Sequence, residues 1–387
     1  MRVLEFMPKD RLKPTGGPVG YLHGLYVADQ KKNKTLSFLE AKTINKAQDD
    51  RPSSSIVRFK NKIREKLVFI KALFVGRRSK EIEKNTFDII HFHTTLDLFY
   101  NRKSLKKFSG KTVLTSHSPT LAMKEVFTNW AFWEKMLFWP LYLMMKSIDY
   151  RAFKIADYIV FPCEQAEEPY RHAWKGFQKF KNNNKNKFKY LLTGTFPRKA
   201  KIQRSEVRSN YNIPDETFLL SYVGRHEKIK GYDLLKEIGS ELFMRDDSVM
   251  FIVAGKEYPL KRPNSKKWIE VGWTSDPHSL IAASDLFVLP NRETYFDLIL
   301  LEVLSLGKMV LVSKTGGNKF FDKPEFPGVF FYETIDDAVL KIQQIKEMNS
   351  VEKRKLEACN YKAFLNLFDN EVFYDNYLKM LDSIINN

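Results

Sequence analysis

Short apolar runs of strand length alternate along this chain with stretches of helical periodicity. Residues 1–7 form the first such run, and 87–93 (FDIIHFH) and 111–116 follow with buried-strand patterns. Residues 156–161 then close a first sheet. A second series begins at 217–223 and continues through 249–254, 268–271, 286–289 and 308–313. Between the runs, 56–78 carries Ile56, Phe59, Ile63, Leu67, Ile70 and Leu73 on one side, the pattern of a basic amphipathic helix that either packs this stripe on the domain or docks to an anionic membrane. Residues 298–306 place Leu298, Leu301, Glu302 and Ser305 at helical spacing, and Gly307 ends that helix. After Phe321 the chain reads as helical to its end, with a last helix over 370–385. Residues 175–189 (KGFQKFKNNNKNKFK) read as a solvated basic loop, and 193–205 as a linker. Strand and helix in strict alternation predict the α/β class with parallel sheets.

Length changes that picture from one sheet to two. A chain of 387 residues is too long for one ordinary domain and suits two of about 190 each. Hydrophobic residues at 43% and charged residues at 28% describe a soluble globular protein with ample core. Lys and Arg number 64 against 46 Asp and Glu, a net +18 that favours a polyanionic partner. Nucleic acid, an anionic membrane surface and phosphorylated substrates all fit that charge. The basic residues are not interleaved with aromatics in a recognisable nucleic-acid module, which argues against the first. Cys163 and Cys359 lie far apart without metal-ligand spacing, as expected in a reducing cytosol. Glu5, Pro8 and Asp10 stand where a signal peptide needs an apolar core, so a cytoplasmic location is expected. The longest apolar run, 136–145, has 10 residues with Pro140 inside, too short to span a bilayer.

Candidate chemistry gathers where strands end, because α/β sites assemble at the carboxyl ends of parallel strands. The turn Lys13-Pro14-Thr15-Gly16-Gly17-Pro18 follows the first strand, where Gly16 and Gly17 either make a plain turn or let the backbone approach a ligand. His93 and His117 each end a strand and are either satisfied core groups or site residues. Arg225 and Lys230 flank the loop after 217–223 and can converge on a pyrophosphate. The loop 291–297 enters a helix whose first amides suit a phosphate, and Thr315-Gly316-Gly317 opens another. Glu302 is one acid within an apolar helix turn, either a surface acid or a ligand contact. Residues 126–145 carry three Trp, three Phe and a Tyr flanked by Lys124, Lys135 and Lys146. They read as core or a domain interface, or as an aromatic face at a lipid headgroup layer.

Residues 283–321 resemble the nucleotide-sugar site of family 4 retaining glycosyltransferases of the GT-B fold. Phe296, Leu298, Leu301-Glu302, Gly307 and Thr315-Gly316-Gly317 fall in step with that family's pattern of two glutamates eight apart and a later Gly-Gly turn. Gly224-Arg225, then Lys230-Gly231 and Tyr232-Asp233-Leu234-Leu235, match its second hallmark. The strand ending in His-x-His and the later strand ending in His117 match its first domain. The departures are Thr294 at the position eight before Glu302, with Glu293 one residue early, and Tyr295 and Asp297 in place of two glycines.

The resemblance implies two Rossmann-like α/β/α domains facing each other across a cleft. The acceptor side would be 1–195, the nucleotide-sugar domain 205–365, and 366–387 a helix packing back on the first. It implies a metal-independent, retaining hexosyltransferase using a nucleotide-diphosphate sugar, UDP favoured, with no cofactor and no metal. The acceptor would be a hydroxyl of a glycan, lipid-linked or protein-linked, in surface polysaccharide or glycoconjugate synthesis. His117, Arg225, Lys230 and Glu293 or Thr294 are then the catalytic set. Gly16, Gly17, Arg225, Lys230, Tyr295, Phe296, Asp297, Leu298 and Glu302 would bind the donor. Peripheral contact with the inner face of an anionic membrane is a further expectation, and a nucleic-acid partner is not expected. The altered sugar half of the motif leaves an alternative, a GT-B-like subunit that binds a partner or acceptor without transferring sugar.

Overall fold

The computed structural model describes residues 1–14, 17–32, 34–40 and 55–386. The chain divides into two compact units. The first comprises Met1–Phe161, Tyr170–Leu191 and Asn376–Asn387, and the second Pro162–Pro169 and Leu192–Asp375.

In the first unit, six parallel strands are β1 (Val3–Pro8), β2 (Leu36–Leu39), β3 (Ile89–Phe92), β4 (Lys111–Leu114), β5 (Tyr158–Phe161) and β6 (Phe188–Tyr190). Their order is β2-β1-β3-β4-β5-β6. Chain order reverses between β1 and β3, so the loops leaving those strands and β4 splay apart there, the usual place for a ligand. Val3, Ile89, Ile90, Val113 and Leu114 are wholly buried, as central parallel strands must be when helices cover both faces. The last helix, Asn370–Ile385, contributes Tyr377 and Leu381 to this core.

The second unit holds β7 (Phe218–Val223), β8 (Val249–Ala254), β9 (Trp268–Gly272), β10 (Leu286–Leu289), β11 (Val310–Ser313) and β12 (Val329–Tyr332). All pairs are parallel in the order β12-β11-β10-β7-β8-β9, the dinucleotide-fold arrangement with its reversal between β7 and β10. The Tyr232–Arg245 helix buries Tyr232, Leu235, Ile238 and Leu242 on one side of this sheet.

Three sequence expectations need correction. The first sheet closes with β6, not at 156–161, because 175–189 is not a solvated loop. Phe177 and Phe188 are buried there, and the Phe177–Asn183 helix packs Phe180 on Trp174 at 5.1 Å. The phenylalanines were the packing pattern, hidden by lysines and asparagines that stay outside. The region after Phe321 is not all helix, since β12 completes the second sheet. The third correction concerns the Ser55–Phe74 helix: of the apolar stripe, Ile63, Leu67 and Ile70 do not pack on the domain, and Leu73 is half-buried. Lys66, Phe69 and Ala72 face inward, at 2%, 4% and 0% exposure, while Ile63, Leu67, Ile70 and Phe74 face outward.

Candidate functional site

The loops after β7, β10 and β11 are knitted together by backbone. Arg292 N–H donates to Ile229 O at 3.0 Å, and Gly317 N–H donates to Thr294 O at 3.2 Å. Glycines permit this closeness. Gly231 has φ +68°, and a Cβ there would lie 1.6 Å from Pro290 O. Gly316 has φ +43° with Thr294 O 2.1 Å from a would-be Cβ. Gly231→Ala is therefore expected to push the 290–297 loop away, at a stability cost on the order of 2–3 kcal/mol. Thermal melting checks this, and an unchanged melting temperature would contradict the crowding.

Lys230 stands at the centre of these loops. Its Nζ lies 2.7 Å from Asp297 Oδ2, which also accepts from Asn291 Nδ2 at 2.8 Å. Burial alone would raise the Asp297 pKa; Lys230, Asn291 and Arg225 more than offset this and hold it below the ordinary range. Asp297 precedes the Leu298–Ser305 helix, yet its carboxylate makes no capping bond. It turns to the lysine instead. Gly316 N–H likewise donates to Glu168 Oε1 at 3.0 Å. Two carboxylates of the chain thus occupy two donors that an anionic ligand would use. Arg225 is 56% exposed and pairs with Glu227 at 2.9 Å.

Glu302 is no stray surface acid. Arg198 Nη2 donates to its Oε1 at 2.7 Å, and His278 Nε2 lies 3.0 Å from its Oε2. Burial opposes ionisation, but His278 and Arg198 hold the Glu302 pKa below the usual carboxylate range. Sequence reading missed both partners, as well as Asn291. Arg198 lies 104 positions from Glu302, and no local spacing reports such a pair. Among the departing positions, Thr294 is buried at 3% exposure and Glu293 is partly exposed. The Tyr295 and Phe296 side chains are also buried, Phe296 against Phe321 at 5.6 Å, so this loop presents backbone more than rings.

The first unit carries a buried polar chain at its own strand reversal. His93 Nε2 lies 2.7 Å from Glu5 Oε2, and His93 Nδ1 lies 3.0 Å from His117 Nε2. His91 sits between Tyr377 Oη at 2.7 Å and Thr115 Oγ1 at 2.8 Å, and Tyr377 also bonds Glu5. Glu5, His91 and His93 are at most 1% exposed. Burial pushes Glu5 up to about 8 and His93 down to about 3. His91 and His117 also fall well below the ordinary histidine value, chiefly through burial. His117 is half-buried with φ +55°, a left-handed backbone that turns its ring back toward His93. Glu5, His91 and His93 offer metal-ligating atoms within 4.8 Å of one another. Each imidazole nitrogen already has a protein partner at hydrogen-bond distance, which fits a proton-sharing chain better than a cation site. Of the Gly16-Gly17 pair, Gly16 lies outside the described residues. Gly17 opens the Gly17–Lys31 helix with φ +72° and open space beside its Cα.

Two family models match the chain: Glycosyl transferases group 1 over residues 203–363, and Glycosyltransferase Family 4 over 45–177. An Escherichia coli UDP-Gal:alpha-D-GlcNAc-diphosphoundecaprenol alpha-1,3-galactosyltransferase is 32% identical over 120 residues, 28% of this chain and 31% of that protein. The alpha-D-kanosaminyltransferase of Streptomyces kanamyceticus is 28% identical over 136 residues, 32% of this chain and 34% of that protein. The matches span about a third of the length of these curated relatives. Among solved structures, Anabaena HepE with UDP and glucose aligns over 99% of this chain and 100% of its own, with TM-score 0.63 and 13% identity. Sucrose-phosphate synthase of Thermosynechococcus elongatus aligns over 100% of both chains, with TM-score 0.65 and 16% identity. At such identities the likeness is one of fold.

Proposed function

The chain belongs to the glycosyltransferases of the GT-B fold, with a family 4 domain followed by a group 1 domain, and we propose that it transfers a sugar from a UDP-sugar to a hydroxyl acceptor with retention at the anomeric carbon. The observation that carries this reading is Lys230 held on Asp297 at the mouth of the Leu298–Ser305 helix, where the sheet order reverses. As the glycosidic bond breaks, negative charge grows on the β-phosphate. Lys230, Arg225 and the first amides of that helix stabilise it, with Asp297 swinging aside as phosphate takes its place on the lysine. Glu302, kept ionised by Arg198 and His278, accepts hydrogen bonds from the ribose hydroxyls. His117 is assigned to the sugar, and Glu293 is the acid of its loop with partial exposure to meet it. The leaving phosphate serves as the base, so no protein nucleophile is required.

A UDP donor is favoured by the galactosyltransferase relative, whose name specifies UDP-Gal and a polyprenyl-diphosphate acceptor. A lipid-linked acceptor in surface glycan synthesis is the corresponding reading here. The test is a thermal-shift and transfer screen against UDP-, GDP-, ADP- and dTDP-sugars. A UDP-sugar at 100 times its dissociation constant is expected to stabilise the chain by about 2.7 kcal/mol and to be turned over. Stabilisation without turnover on any hydroxyl acceptor would favour the non-transferring subunit, and no response to any donor would overturn the site.

A further inference from the structure

We infer that one face of the first unit, built from the Ser55–Phe74, Phe132–Leu137 and Trp139–Ile155 helices, is a docking surface for an anionic lipid bilayer. The inference does not depend on the activity proposed above.

The first observation is the inverted helix. In a water-soluble fold an amphipathic helix buries its apolar stripe and exposes its cations. Here Ile63, Leu67, Ile70 and Phe74, at helical spacing, are 38%, 48%, 39% and 66% exposed. The inward position between them belongs to Lys66, at 2% exposure. A buried ammonium is tolerated only with a partner, and Lys66 Nζ has one in Glu134 Oε1 at 2.7 Å, beneath the Trp130 ring at 4.4 Å. Lys62 Nζ reaches the other oxygen of Glu134 at 2.8 Å. Burial would raise the Glu134 pKa, but the two lysines and the Ala131 amide lower it to about 2. The two-lysine clamp thus fixes the helix with Phe69 and Ala72 inward and the row Ile63, Leu67, Ile70 and Phe74 left outside.

The second observation is what the clamp holds beside it. Glu134 lies on the Phe132–Leu137 helix, and its neighbours Phe132, Met136 and Leu137 are 82%, 70% and 65% exposed. Trp139, at 48%, continues the apolar surface onto the next helix. Fourteen of the 24 exposed large hydrophobic residues of the described chain fall within Val57–Val75 and Phe132–Met144. Scattered exposed apolar residues need no explanation, but a concentration of this kind marks an interaction surface.

Charge decides the occupant. Between Ser55 and Arg78 the chain has eight Lys and Arg against one acid, Glu65. Lys60, Arg64 and Lys71 are exposed around the stripe, as are Lys124 and Lys146 near the aromatic helices. A second copy docked symmetrically would bring this face against itself, with cations against cations. An anionic headgroup layer satisfies both features: phosphates meet the lysines while Phe, Leu and Trp enter the acyl boundary. No helix among the described residues is long and apolar enough to cross a membrane, so the contact is one of a surface lying in the interface.

The test is co-sedimentation of the full chain with phosphatidylcholine vesicles and with vesicles containing 30% phosphatidylglycerol. The full chain is expected to pellet with the anionic vesicles and at least tenfold less with neutral ones, and 0.5 M NaCl should weaken the contact. Phe132→Ser with Leu137→Ser, and separately Arg64→Glu with Lys71→Glu, should each lower anionic-vesicle binding at least tenfold. All four side chains are exposed, so both variants should melt with the parent. Absence of vesicle binding would overturn the inference, as would binding that neither variant reduces. So would a self-association that Phe132→Ser with Leu137→Ser abolishes while vesicles are ignored.

Discussion

Lys230→Ala is expected to lower turnover by about 10²–10³-fold, the effect of removing one donor aimed at charge that grows in the transition state. The fold should survive, because Lys230 is about 29% exposed and its partners are polar. The loss has two parts. The ammonium that would meet the β-phosphate is gone, and Asp297 remains behind with the Asn291 hydrogen bond and the charge of Arg225 but no lysine. An unpaired carboxylate at a phosphate seat repels the donor, so affinity should fall along with turnover. Removing that carboxylate too separates the parts: Lys230→Ala with Asp297→Gly should recover donor affinity while turnover stays low. Lys230→Arg, which keeps the charge, should retain more activity than either. Asp297→Gly alone should bind UDP more tightly, by about tenfold if a like charge costs about 1.4 kcal/mol. Isothermal titration with UDP and initial-rate kinetics with the UDP-sugar that the donor screen selects read the two effects apart. A Lys230→Ala enzyme with unchanged turnover would remove this lysine from the mechanism.

How much of this was legible beforehand depends on how local each signal is. The alternation of apolar runs and helical periods is local, and the strands β1, β3, β4, β7, β8, β10 and β11 all fall where it places them. Arg225 and Lys230 stood in a loop whose spacing could be read, and their neighbourhood to the 290–297 loop followed from the parallel order of the strands. What periodicity could not give is identity of direction. The stripe Ile63, Leu67, Ile70 and Leu73 is genuinely amphipathic, yet which side faces the domain was settled by Glu134, 68 positions from Lys66. The edge strand β6, Phe188-Lys189-Tyr190, is short and carries a lysine, so it did not announce itself as an apolar run; β12, Val329–Tyr332, is an apolar run after Pro327-Gly328 that a helical reading of the chain's end passes over. Asp297 was visible as a departure from a glycine, but its pairing with Lys230 appears only once β7 and β10 lie side by side. Glu5 did leave a local trace, as one acid inside the apolar run Val3-Leu4-Glu5-Phe6. A carboxyl there is either an error of folding or a group with work to do, and the structure gives it His93 and Tyr377.

Raising the pH from 7 to 9 is expected to reverse the tautomer of His117, and proton counting along the buried chain says why. Glu5, raised by burial and further by Asp29, keeps its proton up to about pH 8. While protonated, its Oε2 donates to His93 Nε2, and its Oε1 accepts from Tyr377. His93 must then carry its proton on Nδ1 and donate to His117 Nε2, so His117 presents an Nδ1–H donor. Once Glu5 ionises, the bonds from Glu5 to His93 and from His93 to His117 reverse while Tyr377 goes on donating, and His117 presents a bare acceptor on Nδ1. Nitrogen-15 chemical shifts of the ring report which nitrogen bears the proton, and Glu5→Gln, whose amide oxygen accepts from Tyr377 and whose NH2 then donates to His93, should lock the pH 7 form. Stability provides a second readout with its own sign. Glu5 has a higher pKa folded than unfolded, so its contribution is complete below about pH 4.5 and is lost as pH rises to about 8. At about 1.4 kcal/mol per unit this amounts to about 5 kcal/mol. His91, His93 and His117 are depressed, so theirs is present above pH 6.5 and is lost on acidification, about 1.4 kcal/mol per unit each. Three histidines outweigh one carboxyl below 6.5, and the carboxyl acts alone among these groups above it, which puts the melting maximum near pH 6.5. Glu5→Gln should abolish the alkaline decline and leave the acid limb steeper. A melting profile flat from 6.5 to 8 in the parent, or a His117 tautomer unmoved between pH 7 and 9, would show that Glu5 does not change its protonation in this range and would overturn the switch.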